Sequence, residues 1–174
     1  MFLTEEVSTQ TGTFALVPQI VDAVKVPVIA AGGIADGRGI AAAFALGASG
    51  VQVGTAYLFT PESLISDLHR NALLNAADGT TALTNLFSGR PARGLVNRVM
   101  REVGPMSGEA PAFPTAGAAL APLKAKAEES GSTDFSSLWA GQSASLGHEI
   151  NSRDLTQKLA LDAEECLSSL GSTD

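Results

Sequence analysis

The chain has 174 residues, a formal net charge of −7, 45% hydrophobic residues and 17% charged residues, a balance that fits one soluble globular domain rather than two. With 11 Lys and Arg against 18 Asp and Glu it offers no basic field for a phosphate backbone and no basic amphipathic stretch for a membrane surface, so neither is expected as a partner. The single cysteine, Cys166, excludes an internal disulfide, and no Cys/His spacing suggests a metal, so a reducing cytoplasmic setting is expected. Met1 to Gly12 lacks the charged start and apolar run of a signal peptide, and no apolar stretch is long enough to span a bilayer.

Aromatic residues make up 5% of the chain, so its core must come from Ala, Leu, Val and Ile, as where helices pack closely on parallel strands. Thr4 to Thr13 reads as a loop. Leu16, Val17, Ile20, Val21 and Val24 then recur at helical spacing and predict a short helix over about 17–24, with Pro18 tolerated in its first turn. Val26 to Ala31 (VPVIAA) is a continuous β-branched run, the mark of a parallel strand covered on both faces. Gly32-Gly33 ends it, Asp36 can cap a helix of small residues over 39–48, and Gly47 closes that helix. A second strand is predicted over Gly50 to Tyr57, so the order is the βαβ rhythm of a parallel sheet. Thr60-Pro61-Glu62 has the features of a helix start, ahead of Leu64, Ile65, Leu68 and Ala72. After Asp78-Gly79 the rhythm stops. An extended piece leads into a basic helix near 95–103, a proline-bearing loop spans 104–117, and three helical stretches are predicted around 118–130, 134–140 and 153–170.

The chemistry-bearing region is Val26 to Thr60, because it puts two glycine turns at the carboxyl ends of adjacent parallel strands, where α/β folds bind ligands. In a (β/α)8 barrel the loops after the last two strands often cradle a phosphate with backbone N–H groups instead of lysine or arginine. Glycine serves there because a Cβ at Gly33 or Gly54 would keep a phosphate oxygen from the amides, and because such a turn can need positive φ. Thr55 can add a hydroxyl donor, and the polar Gln52 inside GVQVG wants a partner for its amide. Each signal alone is weak, since a Gly-Gly turn is usually punctuation and a strand Gln usually faces outward. Their pairing after successive strands favours phosphate.

The run VPVIAAGGIADGRGIAAAFALGASGVQVGTAYL followed by TPES resembles the nitronate monooxygenase family, also called 2-nitropropane dioxygenases. The likeness extends into FSGRPARGLVNRVMRE and FSSLWAGQ, so nearly the whole chain is similar to the carboxyl-terminal portion of that family. The resemblance implies an FMN-dependent TIM barrel that oxidises alkyl nitronates with molecular oxygen to a carbonyl compound and nitrite, without a metal. It implies that the AAGGI turn gives Gly33 and Gly32, and the QVGT stretch gives Gln52, Val53, Gly54 and Thr55, to the cofactor. The family's catalytic histidine lies in a Gly-Gly-His motif ahead of the segment matching Met1-Phe2-Leu3, so no catalytic residue is assigned. A whole barrel takes about 250 residues, which makes residues 1–174 a single partial domain: the last βα units with the phosphate site over 1–78, then a helical and loop extension over 79–174. Open strand edges would favour self-association, and without the catalytic histidine and the pocket for the flavin ring the chain alone is expected to be inactive. Two rivals share the motifs: a flavin-dependent enoyl-ACP reductase-like enzyme that would use NAD(P)H, and a non-catalytic barrel remnant.

The other candidates carry blander expectations. His69 and His148 read as solvated surface residues. Arg90, Arg93, Arg98 and Arg101 read as partners of surface carboxylates or covers for loop backbone. Cys166 reads as an inert thiol, and Trp139 as a packing anchor rather than a flavin stacker.

Overall fold

A computed structural model describes residues 6–171 of the chain. Those residues form two compact α/β units, one of residues 6–10 with Ile65–Ser145, the other of Thr11–Leu64 with residues 146–171. The unit boundaries therefore fall at 10/11, 64/65 and 145/146, and the segment after 145 joins the early βαβ residues. The expected opening loop holds over residues 6–12 apart from one 3-10 turn at Val7–Thr9, while Thr4 and Glu5 lie outside the described residues.

In the second unit the first helix, α1 (Thr13–Ala23), starts earlier than the periodicity predicts and carries Pro18 in its interior. The proline removes only the bond to the Phe14 carbonyl, which a helix anchored by buried Val17 tolerates. Strands β1 (Ile29–Ala31) and β2 (Gly50–Gln52) pair in parallel, Ile29 with Gly50 and Ala31 with Gln52. Both are shorter than predicted because a strand lasts only as long as its partner does. The expectation of cover on both faces also fails. Ala30 is 2% exposed in a core with Val17, Ala43 and Ala48, whereas Ile29 on the opposite face is 56% exposed.

Between the strands runs α2 (Gly37–Ala45), whose Asp36 cap accepts a bond from the Gly39 amide at 3.2 Å. Gly47 then turns the chain at φ +91°, a conformation side chains resist. The long helix α7 (Ser152–Gly171), predicted within a residue at each end, lies on α2 so closely that a Cβ on Gly37 would stand 2.4 Å from Asp162. Where β2 was expected to continue to Tyr57, a single helical turn forms instead, α3 (Thr55–Leu58). Thr60-Pro61-Glu62 is a turn and not a helix start: the Thr60 hydroxyl donates to the Tyr57 carbonyl at 2.9 Å, and the Ser63 amide donates to the Thr60 carbonyl at 3.0 Å.

In the first unit α4 (Asp67–Leu74) is capped by Ser66, so it keeps Leu68 and Ala72 but excludes the Leu64 and Ile65 assigned to it by sequence. Strands β3 (Thr81–Thr84) and β4 (Ala92–Leu95) pair antiparallel. The predicted basic helix is α5 (Arg98–Val103), capped by Asn97, and α6 (Ala116–Glu129) follows the proline-bearing loop. The helix predicted over 134–140 does not form. Its backbone lies along β4, with Leu95 N donating to Leu138 O at 2.8 Å and Ala140 N to Arg93 O at 3.2 Å. Gly94 permits that approach, since a Cβ there would meet the Leu138 carbonyl at 2.8 Å. Leu86, Val99 and Met100 form a core in this unit.

Candidate functional site

The parallel pairing of Ala31 with Gln52 brings the two glycine bends side by side, one after each strand. Gly32 and Gly33 have φ of +102° and +75°, so the first bend requires glycine for conformational reasons alone. Gly54 differs. Its φ is −109°, which any residue can adopt, and a Cβ there would meet nothing within 4 Å. The chain's own packing thus gives no reason for glycine at 54, whereas a group seated against the backbone would. Gly32, Gly33, Gln52 and Gly54 are exposed, and Val53 and Thr55 are half-buried. The six residues predicted from sequence therefore share one end of the two-stranded sheet, where amides and a threonine hydroxyl suit an anion of phosphate size.

No lysine or arginine is among those six. The nearest cation in sequence, Arg38, is held by the Asp36 carboxylate, and that bond keeps the Asp36 carboxyl below its ordinary value against the opposing effect of burial. A cavity of about 760 Å³ in this unit lies along α7 with Asp36, Arg38, Ala56, Lys158 and Cys166 in its wall, and it touches none of the six. Its charged lining is mostly self-paired, as Arg38 with Asp36 and Lys158 with Asp162.

Residues assigned no such role from sequence hold the second bend. Ala56 packs in a core with Leu155 and Leu159 of α7, and the Tyr57 hydroxyl lies 2.8 Å from Thr156 Oγ1. Glu62 Oε2 accepts from the Ser152 amide at 3.1 Å. Its carboxyl is held below the usual range first by its own backbone N–H and then by Ser152. These partners stand 90 and 99 residues apart in sequence, and no local pattern announces them. The first bend has a lesser tie, Thr13 Oγ1 donating to the Ala31 carbonyl at 3.3 Å.

The histidines divide. His148 is exposed, as expected, but His69 is buried in the other unit with Nε2 3.1 Å from the Trp139 carbonyl, which corrects its reading as a solvated residue. The strip at 138–140 that lies along β4 also reaches α4, and burial there pushes the imidazole pKa down against the carbonyl's opposing pull. Trp139 is a packing residue, edge-on to Phe87 at 5.7 Å. Two arginines behave as predicted, Arg98 pairing with Glu102 at 2.7 Å and Arg101 reaching the Val96 carbonyl at 3.5 Å, whereas Arg93 donates to the Thr81 carbonyl of β3 at 3.1 Å and Arg90 lies 6.0 Å from the centre of the Phe113 ring. Among the described residues no group of three or more His, Cys, Asp or Glu side chains could hold a metal, and no helix is long and apolar enough to cross a membrane.

Fold and geometry together define an α/β protein with two glycine bends at the carboxyl ends of paired parallel strands. The family model for nitronate monooxygenase matches residues 4–162. A probable nitronate monooxygenase of Staphylococcus aureus strain JH9 is 44% identical over 135 residues, 78% of this chain and 38% of that protein. A solved nitroalkane oxidase from Streptomyces ansochromogenes superposes with TM-score 0.86 at 40% identity, over 96% of this chain and 48% of that one. FabK from Thermotoga maritima superposes with TM-score 0.77 at 36% identity, over 92% of this chain and 51% of its own. The chain belongs to the nitronate monooxygenase family. It spans between about two fifths and one half of these relatives' lengths.

Proposed function

We propose that the chain carries the phosphate part of an FMN site in a flavin oxidoreductase of the nitronate monooxygenase type. In this reading β1 and β2 are the last two strands of a (β/α)8 barrel, and Gly32, Gly33, Gln52, Val53, Gly54 and Thr55 hold the FMN phosphate. The observation that carries it is the parallel register that sets Ala31 beside Gln52, together with the open space against Gly54. The amides of the two bends would donate to the phosphate oxygens, the Thr55 hydroxyl would add a donor, and the exposed Gln52 amide would orient whatever adjoins them.

When bound, FMN supplies the electron-accepting ring through which an alkyl nitronate is oxidised with molecular oxygen to a carbonyl compound and nitrite. A nitronate is already an anion, so a base matters chiefly for deprotonating a neutral nitroalkane. Among the described residues neither histidine is assigned that role: His69 is buried with its ring against the Trp139 carbonyl, and His148 is exposed. The 174-residue chain alone is therefore expected to release no nitrite from a nitroalkane, and the small-molecule nitronate and O2 are substrates of the longer proteins it resembles.

Equilibrium dialysis against FMN and against riboflavin, which lacks the phosphate, tests the assignment. Retention of FMN but not riboflavin supports it, and equal retention of both, or of neither, overturns it.

A further inference from the structure

The second bend has little structure of its own: α3 is a four-residue turn, Thr55–Leu58, with no side-chain cap on Gly54. What holds it comes from α7 and the residues just before it, about 100 positions further along the chain. Three contacts of different chemistry converge there. The Tyr57 hydroxyl meets Thr156 Oγ1 at 2.8 Å. The Phe59 ring, 1% exposed, lies where a Cβ on Gly147 would stand 2.1 Å away. The Glu62 carboxylate takes the Ser152 amide at the start of α7. Apolar contact of Ala56 with Leu155 and Leu159 fills the space between.

We infer that α7 positions the cofactor bend, and that Tyr57 is the positioning residue: through its bond to Thr156 it fixes where the 54 and 55 amides stand. The inference rests on the FMN reading above and adds to it a structural dependence of the phosphate cradle on the carboxyl-terminal helix. Tyr57 is well suited to this. It sits two residues past Thr55 on the same short turn, and its hydroxyl reaches a side chain that is itself fixed, since Thr156 Oγ1 also bonds the Ser152 carbonyl at 2.7 Å. Removing the phenol oxygen leaves the ring packed against the Leu155 and Leu159 core while releasing the register.

The test uses the full chain, with Tyr57→Phe, Thr156→Val, the double variant and Thr156→Ser. Loss of one hydrogen bond should speed amide exchange at Gly54, Thr55 and Ala56 by roughly 2- to 10-fold, with β1 and α2 amides unchanged. The double variant should go no further than Thr156→Val alone, because that substitution already removes the bond to Tyr57 along with the Thr156 bond to the Ser152 carbonyl. FMN dissociation constants should rise by a similar factor, and Thr156→Ser should restore both readouts. Uniform acceleration across the unit, additive effects, or faster exchange with unaltered FMN affinity would overturn the inference. If the unsubstituted chain retains no FMN, the cofactor reading itself falls, whereas the exchange data still decide whether α7 fixes the bend.

Discussion

The two strand pairs differ in direction and in how far their faces are covered. β3 and β4 run antiparallel and are joined by residues 85–91, and the strip at 138–140 adds hydrogen bonds to β4, so this pairing is completed from within one unit. β1 and β2 run parallel, need α2 to connect them, and are covered on the Ala30 face while Ile29 stands exposed. Antiparallel ladders tolerate one wet face, whereas parallel strands are normally buried on both. The two glycine bends thus follow the strand pair that keeps one face exposed, in a chain that spans about half of a 40%-identical solved relative.

Sharp tests of this contrast use the single tryptophan and single tyrosine, Trp139 in one unit and Tyr57 in the other, as separate reporters. The largest effect is expected from Met100→Ala, which empties a site 1% exposed and should cost about 3 kcal/mol. Chemical denaturation followed by Trp139 emission should show the loss, while the Tyr57 signal keeps its midpoint. A joint shift would mean that the two units unfold as one.

Gly37→Ala should act on the other unit, at about 2 kcal/mol, because the new Cβ meets α7 backbone that has little freedom to move. Amide exchange in α2 and α7 is the measurement, and unchanged protection there would show that the close approach is not needed. Asp36→Ala removes the α2 cap and should cost about 1 kcal/mol. The Asp36 carboxyl is lowered chiefly by its bond to Arg38, so its contribution is present above the ordinary carboxylate pKa and lost as pH falls through the depressed folded value.

The smallest effect concerns His69. Burial lowers its pKa, so the unfolded chain binds a proton more readily than the folded one. Stability of its unit is then full above about pH 6.5 and declines as pH drops toward the folded value. A Trp139-monitored midpoint that falls between pH 7 and pH 5, and falls less in His69→Gln, is the expected result.

Much of the βαβ part was legible in sequence because its signals are local. The Asp36 cap, the Gly47 stop and the Gly32-Gly33 bend act within a few residues and stand where the pattern puts them. Strand ends were not legible, since Val26–Val28 and Val53–Tyr57 look as β-branched as their neighbours and only the partner's length sets the limit. The 134–140 segment misled for the same reason: its conformation is decided by Gly94, about 45 positions earlier. Thr60-Pro61-Glu62 has every local mark of a helix start, yet Glu62 serves the first turn of α7 instead. His69 gave no sign of burial, because its partner is a backbone carbonyl 70 residues away.

The most direct measurement is the set of backbone amide resonances that move when FMN is added to the labelled chain. Shifts confined to residues 32–34 and 52–55, and absent with riboflavin, are expected. Shifts centred instead on the cavity between Asp36 and Cys166, or the same pattern with riboflavin, would contradict the FMN reading.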